Sequence, residues 1–161
     1  MPVARIVINA SPLILLSNSD LAFILPQLFA NIVAPEAVWQ EIVHSPYHDK
    51  AAQMLPEMAW IRKVSVLNAE EVIRWDLGAG ETAVLSFAFQ NRDYAPVLDD
   101  LAAKQCARSL GMQTIGTGAL LILAKESGLI DSVEHALRKL RSAGLWISEP
   151  IIALLKEQAG E

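Results

Sequence analysis

Short runs of β-branched and aliphatic residues, each leading into a helical stretch, constrain this chain more than any other feature. Ile6-Val7-Ile8, Ile32-Val33-Ala34 and Pro96-Val97-Leu98 are almost unbroken by polar residues. A strand that faces water on one side alternates apolar with polar residues, whereas a strand covered on both sides does not. Runs of this kind, separated by helices, define a parallel sheet between two helical layers. Two further strands are expected. One is an alternating edge strand over 61–67, and the other lies at Met112 to Ile115. The fold class is therefore α/β, a three-layer α/β/α arrangement of Rossmann-like type with a mostly parallel sheet of four to five strands.

Helix boundaries are marked by caps and breakers. Ser11-Pro12 reads as a helix start, with Ser11 capping and Pro12 at the first helical position. Ser19-Asp20 offers a second cap, ahead of a short helix from Leu21 to Phe29 that contains Pro26. Pro35 opens a helix from about Glu36 to Val43, with Val38, Trp39, Ile42 and Val43 as its apolar stripe. A helix is expected within 48–58, and another from the cap Asn68 to about Trp75. The turn Asp76-Leu77-Gly78-Ala79-Gly80 precedes a strong helix from Glu81 to Gln90. Leu101 to Leu110 forms a helix closed by Gly111, and an apolar helix runs from Gly118 to Ser127. Two last helices cover about 131–142 and 148–159. No repeat, low-complexity tract or linker interrupts the 161 residues, so one domain is expected.

Composition narrows the function classes. The hydrophobic share of 53 % is slightly high, as expected for a buried sheet or for an apolar surface that a partner covers. A single cysteine, Cys106, rules out an intramolecular disulfide. No run reaches the ~18 apolar residues needed to span a membrane, and the first residues lack a secretion signal, so the cytoplasm is the expected compartment. A net charge of −5 argues against a general nucleic-acid binder, which is more often basic. It leaves open an enzyme whose carboxylates await cations.

In an open parallel sheet, ligands bind beyond the carboxyl ends of the strands. Asn9-Ala10-Ser11 follows the first strand, and Asp99-Asp100 follows the 96–98 strand. Two helical acids, Glu41 and Glu81, could join them. Converging carboxylates repel one another unless a divalent cation neutralises them. Mg²⁺ or Mn²⁺ in such a site suits phosphodiester hydrolysis. Plainer roles stay open for each residue. Asp99 or Asp100 could cap the next helix, and Glu81 could serve the helix dipole in a first turn. Asn9 could serve backbone groups at the turn, Ser11 could be a cap, and Glu41 could be solvated. Glu41 lies near a helix C-terminus, where the dipole opposes an acid, so capping does not account for it.

Other candidates fall away. His44 and His48 have metalloprotease-like spacing, but Pro46 breaks the helix between them and no Glu follows His44. Cys106, among Ala102, Ala103 and Leu110, reads as core. Gly78-Ala79-Gly80-Glu81 lacks the lysine and the glycine spacing of a phosphate loop. The four tryptophans read as core or interface, with no stacking platform among basic residues.

Four segments taken in order resemble the motifs of PIN-domain proteins. They are Ile6 to Ile14, Pro35 to Ile42 with Glu41, Leu77 to Ala83 with Glu81, and Val97 to Ala103 with Asp99-Asp100. The tail Gly116-Thr117-Gly118-Ala119-Leu120-Leu121 is similar to that of a prokaryotic branch related to VapC toxins. The resemblance spans nearly the whole chain. It implies a doubly wound fold and Mg²⁺- or Mn²⁺-dependent endoribonuclease activity on an RNA substrate. It also implies frequent homodimers and a small antitoxin that covers the site. By position, Glu41, Glu81 and Asp99 would be the metal-site acids, with Asp100 an alternate or fourth acid and Ser11 close to the ligands. Asn9 stands where the first acid is expected: its amide oxygen can ligate a hard cation but adds no charge. That departure keeps a second reading in play, a PIN-like module with weakened or lost catalysis that binds a protein or RNA. A receiver-like domain is a third, although Asn9-Ala10-Ser11 does not offer the acids expected after the first strand.

Overall fold

The computed structural model describes residues 4–46 and 50–161. The strands are β1 (Arg5–Ile8), β2 (Asn31–Pro35), β3 (Ile61–Val64) and β4 (Ala95–Val97). Between β1 and β2 lie α1 (Ala10–Asn18) and α2 (Ile24–Leu28), and between β2 and β3 lie α3 (Glu36–Val43) and α4 (Lys50–Met54). A 3-10 turn over Leu55–Glu57 follows α4. The β3–β4 connection carries α5 (Glu70–Ile73) and α6 (Ala79–Gln90). Four helices complete the chain: α7 (Leu101–Ser109), α8 (Thr117–Glu126), α9 (Val133–Ser142) and α10 (Glu149–Gln158).

The sheet order is β3-β2-β1-β4, and every neighbouring pair is parallel. Ile6, Val7 and Ile8 have no exposed surface, as their unbroken apolar run requires. In β3, at the sheet edge, only Ile61 and Val64 are buried and Arg62 and Lys63 face out. The expected fifth strand shrinks to one parallel bridge, Val97 to Ile115. Met112 instead donates its N–H to the Ala107 carbonyl at 2.8 Å, so the start of that segment is spent closing α7. Glycine at 111 takes a φ of +76°, the conformation that such a helix end requires.

The sheet reverses direction once. From β1 the chain steps to β2 and β3 on one side, then returns to place β4 on the other side of β1. The switch point lies between the carboxyl ends of β1 and β4, where the loops diverge and leave a crevice. Asn9 follows the first of these ends and Asp99 lies just beyond the second. The Asn9 amide donates to the Val97 carbonyl at 3.0 Å, which ties the two ends together.

Several helix starts differ from the sequence reading. α1 begins at Ala10, with Asn9 rather than Ser11 at the capping position, and its side chain makes no cap bond. Ser11 lies exposed inside the first turn, and Pro12 sits third, still among the residues whose N–H has no helical partner. Ser19 ends α1 instead of opening α2, and Asp20 takes a left-handed φ of +57°. α5 is capped at Ala69 rather than Asn68, because the Ala69 N–H is fixed by the Ser86 hydroxyl at 2.9 Å. The helix expected within 48–58 starts at Lys50; His48 lies outside the described residues. Leu120, Leu121 and Ala124 of α8 are buried in the core, as are Leu13 and Leu16 of α1. Cys106 is fully buried, as expected. No described helix is long and apolar enough to cross a membrane.

Candidate active site at the sheet switch point

Because Asn9 does not cap α1, its side chain is free to turn across the crevice. Nδ2 donates to Glu81 Oε1 at 3.3 Å. Oδ1 is buried and has no hydrogen-bond partner. Asn9 as a whole is only 3 % exposed, so this oxygen cannot turn to bulk solvent. An unsatisfied buried acceptor costs about 1–3 kcal/mol, and its presence asks for a donor or a cation.

Glu81 stands in the first turn of α6. Glu41 comes from α3, close to its C-terminal end. Helices α3 and α6 pack together, which brings the two acids to one place. The Gly80 N–H donates to Glu41 Oε1 at 3.0 Å. Gly80 is needed here for space: a Cβ on it would lie 2.7 Å from Glu41 Oε1 and 3.1 Å from Asn9 Oδ1. The sequence reading took Gly80 as part of a turn; its role as the floor between Glu41 and Asn9 shows only in three dimensions. Much of the Glu41 residue is exposed, yet its carboxyl is held above the ordinary carboxylate range. Loss of water around it is the main cause, the Glu81 charge adds to it, and the Gly80 N–H opposes it.

Asp99 is held differently. Oδ1 accepts from the Thr117 N–H at 2.8 Å, and Oδ2 accepts from the Thr117 hydroxyl. Asp99 therefore fastens the N-terminus of α8 to the end of the sheet, a role for Thr117 that sequence spacing did not show. Asp100 takes the plainer of its two readings as far as its contacts go: Oδ2 accepts from the Ala103 N–H at 2.9 Å and caps α7. The structure thus joins Asn9, Glu41 and Glu81 in direct contact through Gly80, and sets Asp99 and Asp100 at the neighbouring strand end in helix-fastening bonds. Among the described residues, no three His, Cys, Asp or Glu side chains gather as a ready metal cage. Asn9 sits where a third acid would complete one.

The donor set can still be tested against a divalent ion. Asn9 Oδ1 is an orphaned acceptor, with the Glu41 carboxylate near it over Gly80 and the Glu81 carboxylate on the nitrogen of the same amide. All three are hard oxygen donors of the kind Mg²⁺ and Mn²⁺ prefer. A cation would satisfy the buried amide oxygen and offset both the lost hydration and the Glu81 charge that raise Glu41. The residues present fit such an ion.

A doubly wound parallel sheet with acids at its switch point belongs to a class of α/β proteins built to bind ligands at the strand ends. The family is narrower: a PIN-domain family model matches residues 5–161, and the chain belongs to the PIN-domain family. PIN domains are generally nucleases and commonly depend on metal ions. No curated protein and no solved structure matches the chain.

Proposed function

We propose that this chain is a divalent-metal-dependent endoribonuclease that acts as the toxin of a toxin–antitoxin pair. The observation that carries the reading is the buried, unpartnered Asn9 Oδ1, which shares the space over Gly80 with Glu41 while the same amide's nitrogen holds Glu81. Asn9, Glu41 and Glu81 would hold Mg²⁺ or Mn²⁺, with Asp99 and Asp100 adding negative charge from the end of β4. When bound, such an ion supplies Lewis acidity toward a phosphodiester and its attacking water. The chain's own residues orient and hold. The Asn9 amide fixes Glu81 Oε1, the Gly80 N–H fixes Glu41 Oε1, and Thr117 fixes both oxygens of Asp99. Carboxylates restrained in this way lose little freedom when they take a ligand. Ser11, exposed in the first turn of α1 two residues after Asn9, would contact a substrate phosphate. RNA is the proposed substrate. A small antitoxin would cover the cleft, where Leu101 presents an apolar side chain that is 70 % exposed. A homodimer in the cytoplasm completes the reading.

The test is incubation of structured RNA with the parent protein and with Glu81→Gln, with Mn²⁺ or with a chelator. Cleavage that needs both the metal and Glu81 supports the proposal. The Asn9 side chain favours a second reading, a PIN-like module that binds RNA or a protein without cutting. RNA left intact by the parent, with binding kept, would select it.

A further inference from the structure

A second cavity opens on the other side of Asp99. It has a volume of about 480 Å³ and is lined by the polar Asp99, Lys104 and Thr117 and by the apolar Trp146, Ile151 and Leu155. Its size falls in the range of small-ligand pockets.

Its lining mixes two kinds of chemistry. Lys104 is half-buried on α7 and enters none of the ion pairs among the described residues. Its Nζ lies 3.3 Å from where a Cβ on Gly116 would sit, and Asp99 Oδ1 lies 3.2 Å from the same point. The lysine is thus a cation near Asp99 that forms no salt bridge with it, so its ammonium hydrogens are left for a ligand. Trp146 is 93 % exposed, an unusual state for the largest apolar side chain. The backbone fixes its place. The Leu145 N–H reaches the Leu140 carbonyl at 2.9 Å, and Gly144 takes a φ of +117°. This closes α9 and sends the next residues out in alternation, with Leu145 and Ile147 half-buried and Trp146 turned out.

We propose that this cavity is a nucleotide subsite, in which Trp146 stacks one base of a single-stranded RNA and Lys104 takes the phosphate next to it. The proposal rests on the nuclease reading for the choice of nucleic acid and extends it to a position beyond the acids. Charge decides between occupants. A chain of net charge −5 repels a polyanion, so a phosphate needs a cation that no salt bridge engages, and Lys104 supplies one in the wall of this cavity. An exposed indole offers a flat face to any base, without sequence preference.

Binding is measured apart from cutting, with a tetraribonucleotide in the presence of a chelator, which withholds the divalent ion that the proposed hydrolysis requires. The readout is quenching of tryptophan emission in the full chain without added metal. The parent should show saturable quenching. Trp146→Ala should weaken binding about tenfold and remove most of the quenching, in line with the worth of one stacked base. Lys104→Met should weaken binding and reduce the salt dependence of affinity by about one ion, whereas Lys104→Arg should keep both. Trp146 is a surface residue and Lys104→Met keeps most of the aliphatic stem, so loss of fold does not cloud the result; circular dichroism checks it. Parent-like affinity and quenching in both variants, or no binding by the parent, overturns the subsite. If Trp146→Ala instead changes the sedimentation of the protein while leaving oligonucleotide binding intact, the cavity is a protein contact and the proposal fails. RNA cleavage by the parent with unaltered KM in both variants would sink the subsite and leave the nuclease reading standing. Quenching without any cleavage would do the reverse.

Discussion

Replacing Gly80 with alanine should separate the site from the fold. Gly80 has an ordinary helical backbone, so alanine brings no backbone strain there and gains up to ~1 kcal/mol of helix propensity. The added Cβ would stand 2.7 Å from Glu41 Oε1, and ordinary contact starts near 3.4 Å, so the carboxyl must retreat by about 0.7 Å. Asn9 Oδ1, 3.1 Å away, is buried and has less room to give. A retreating Glu41 gives up its bond from the Gly80 N–H, worth about 1.5–3 kcal/mol at most and less because Glu41 can be rehydrated. The two effects nearly cancel. The net loss should be about 0–2 kcal/mol, a fall in Tm of no more than about 8 °C for a chain of this size. The effect on the site has no such compensation. Displacing one ligand by that distance should lower Mn²⁺ affinity by about tenfold or more. Differential scanning calorimetry gives the first number and titration calorimetry the second. Unchanged Mn²⁺ affinity in a folded Gly80→Ala protein would refute the placement of Glu41 against Gly80 and Asn9.

Three further outcomes follow from the same geometry. Asn9→Asp adds a third carboxylate in a buried place, so the metal-free protein should lose about 2–4 kcal/mol of stability; Mn²⁺ at 100 times its Kd should return about 2.7 kcal/mol, both read from urea unfolding. Glu41→Gln removes a group whose pKa is raised in the folded state. Folding favours its protonated form, so the parent's penalty is absent below the unfolded value and grows as pH rises through the folded one. Without metal, the variant should therefore gain on the parent from pH 4 toward pH 7, and a flat difference would count against the Glu41–Glu81 coupling. Glu161 behaves in the opposite way. Desolvation pushes its carboxyl up, but bonds from the Val133 and Glu134 amides, the Lys125 ammonium and the Ser132 hydroxyl outweigh it and bring it down to about 2. Its contribution, the fastening of the start of α9, should be complete above the unfolded value near 4.5 and fade toward pH 2. Glu161→Gln should accordingly unfold earlier than the parent at pH 7 and converge with it in strong acid.

The strands were legible because burial on both faces leaves a local mark: Ile6-Val7-Ile8 could hardly be anything else. The segment 112–115 misled because its composition suits a strand, while the Met112 N–H is claimed by the end of α7 and only Ile115 reaches the sheet. Ser11 misled for a related reason. A Ser-Pro pair is a good helix start, but Asn9 already has the extended backbone of a capping residue, and the helix begins two residues sooner than a Ser11 cap allows. At the site, residue types and order announced Glu41, Glu81 and Asp99, since each is an acid beside a recognisable turn or strand end. What each acid touches was not legible. Gly80 meets Glu41 across 39 residues and Thr117 meets Asp99 across 18, and no spacing rule reaches so far. The same holds for Trp146 and Lys104, which look unrelated along the chain and share one cavity in the fold.

The central claim is that Asn9, Glu41 and Glu81 together hold a divalent ion. Titration calorimetry of Mn²⁺ into the parent and into Glu81→Gln at neutral pH tests it most directly. The account predicts a saturable binding isotherm in the parent that disappears in the variant while the fold remains intact. A parent that takes up no Mn²⁺ at millimolar concentration, or a variant that binds it equally well, would contradict it.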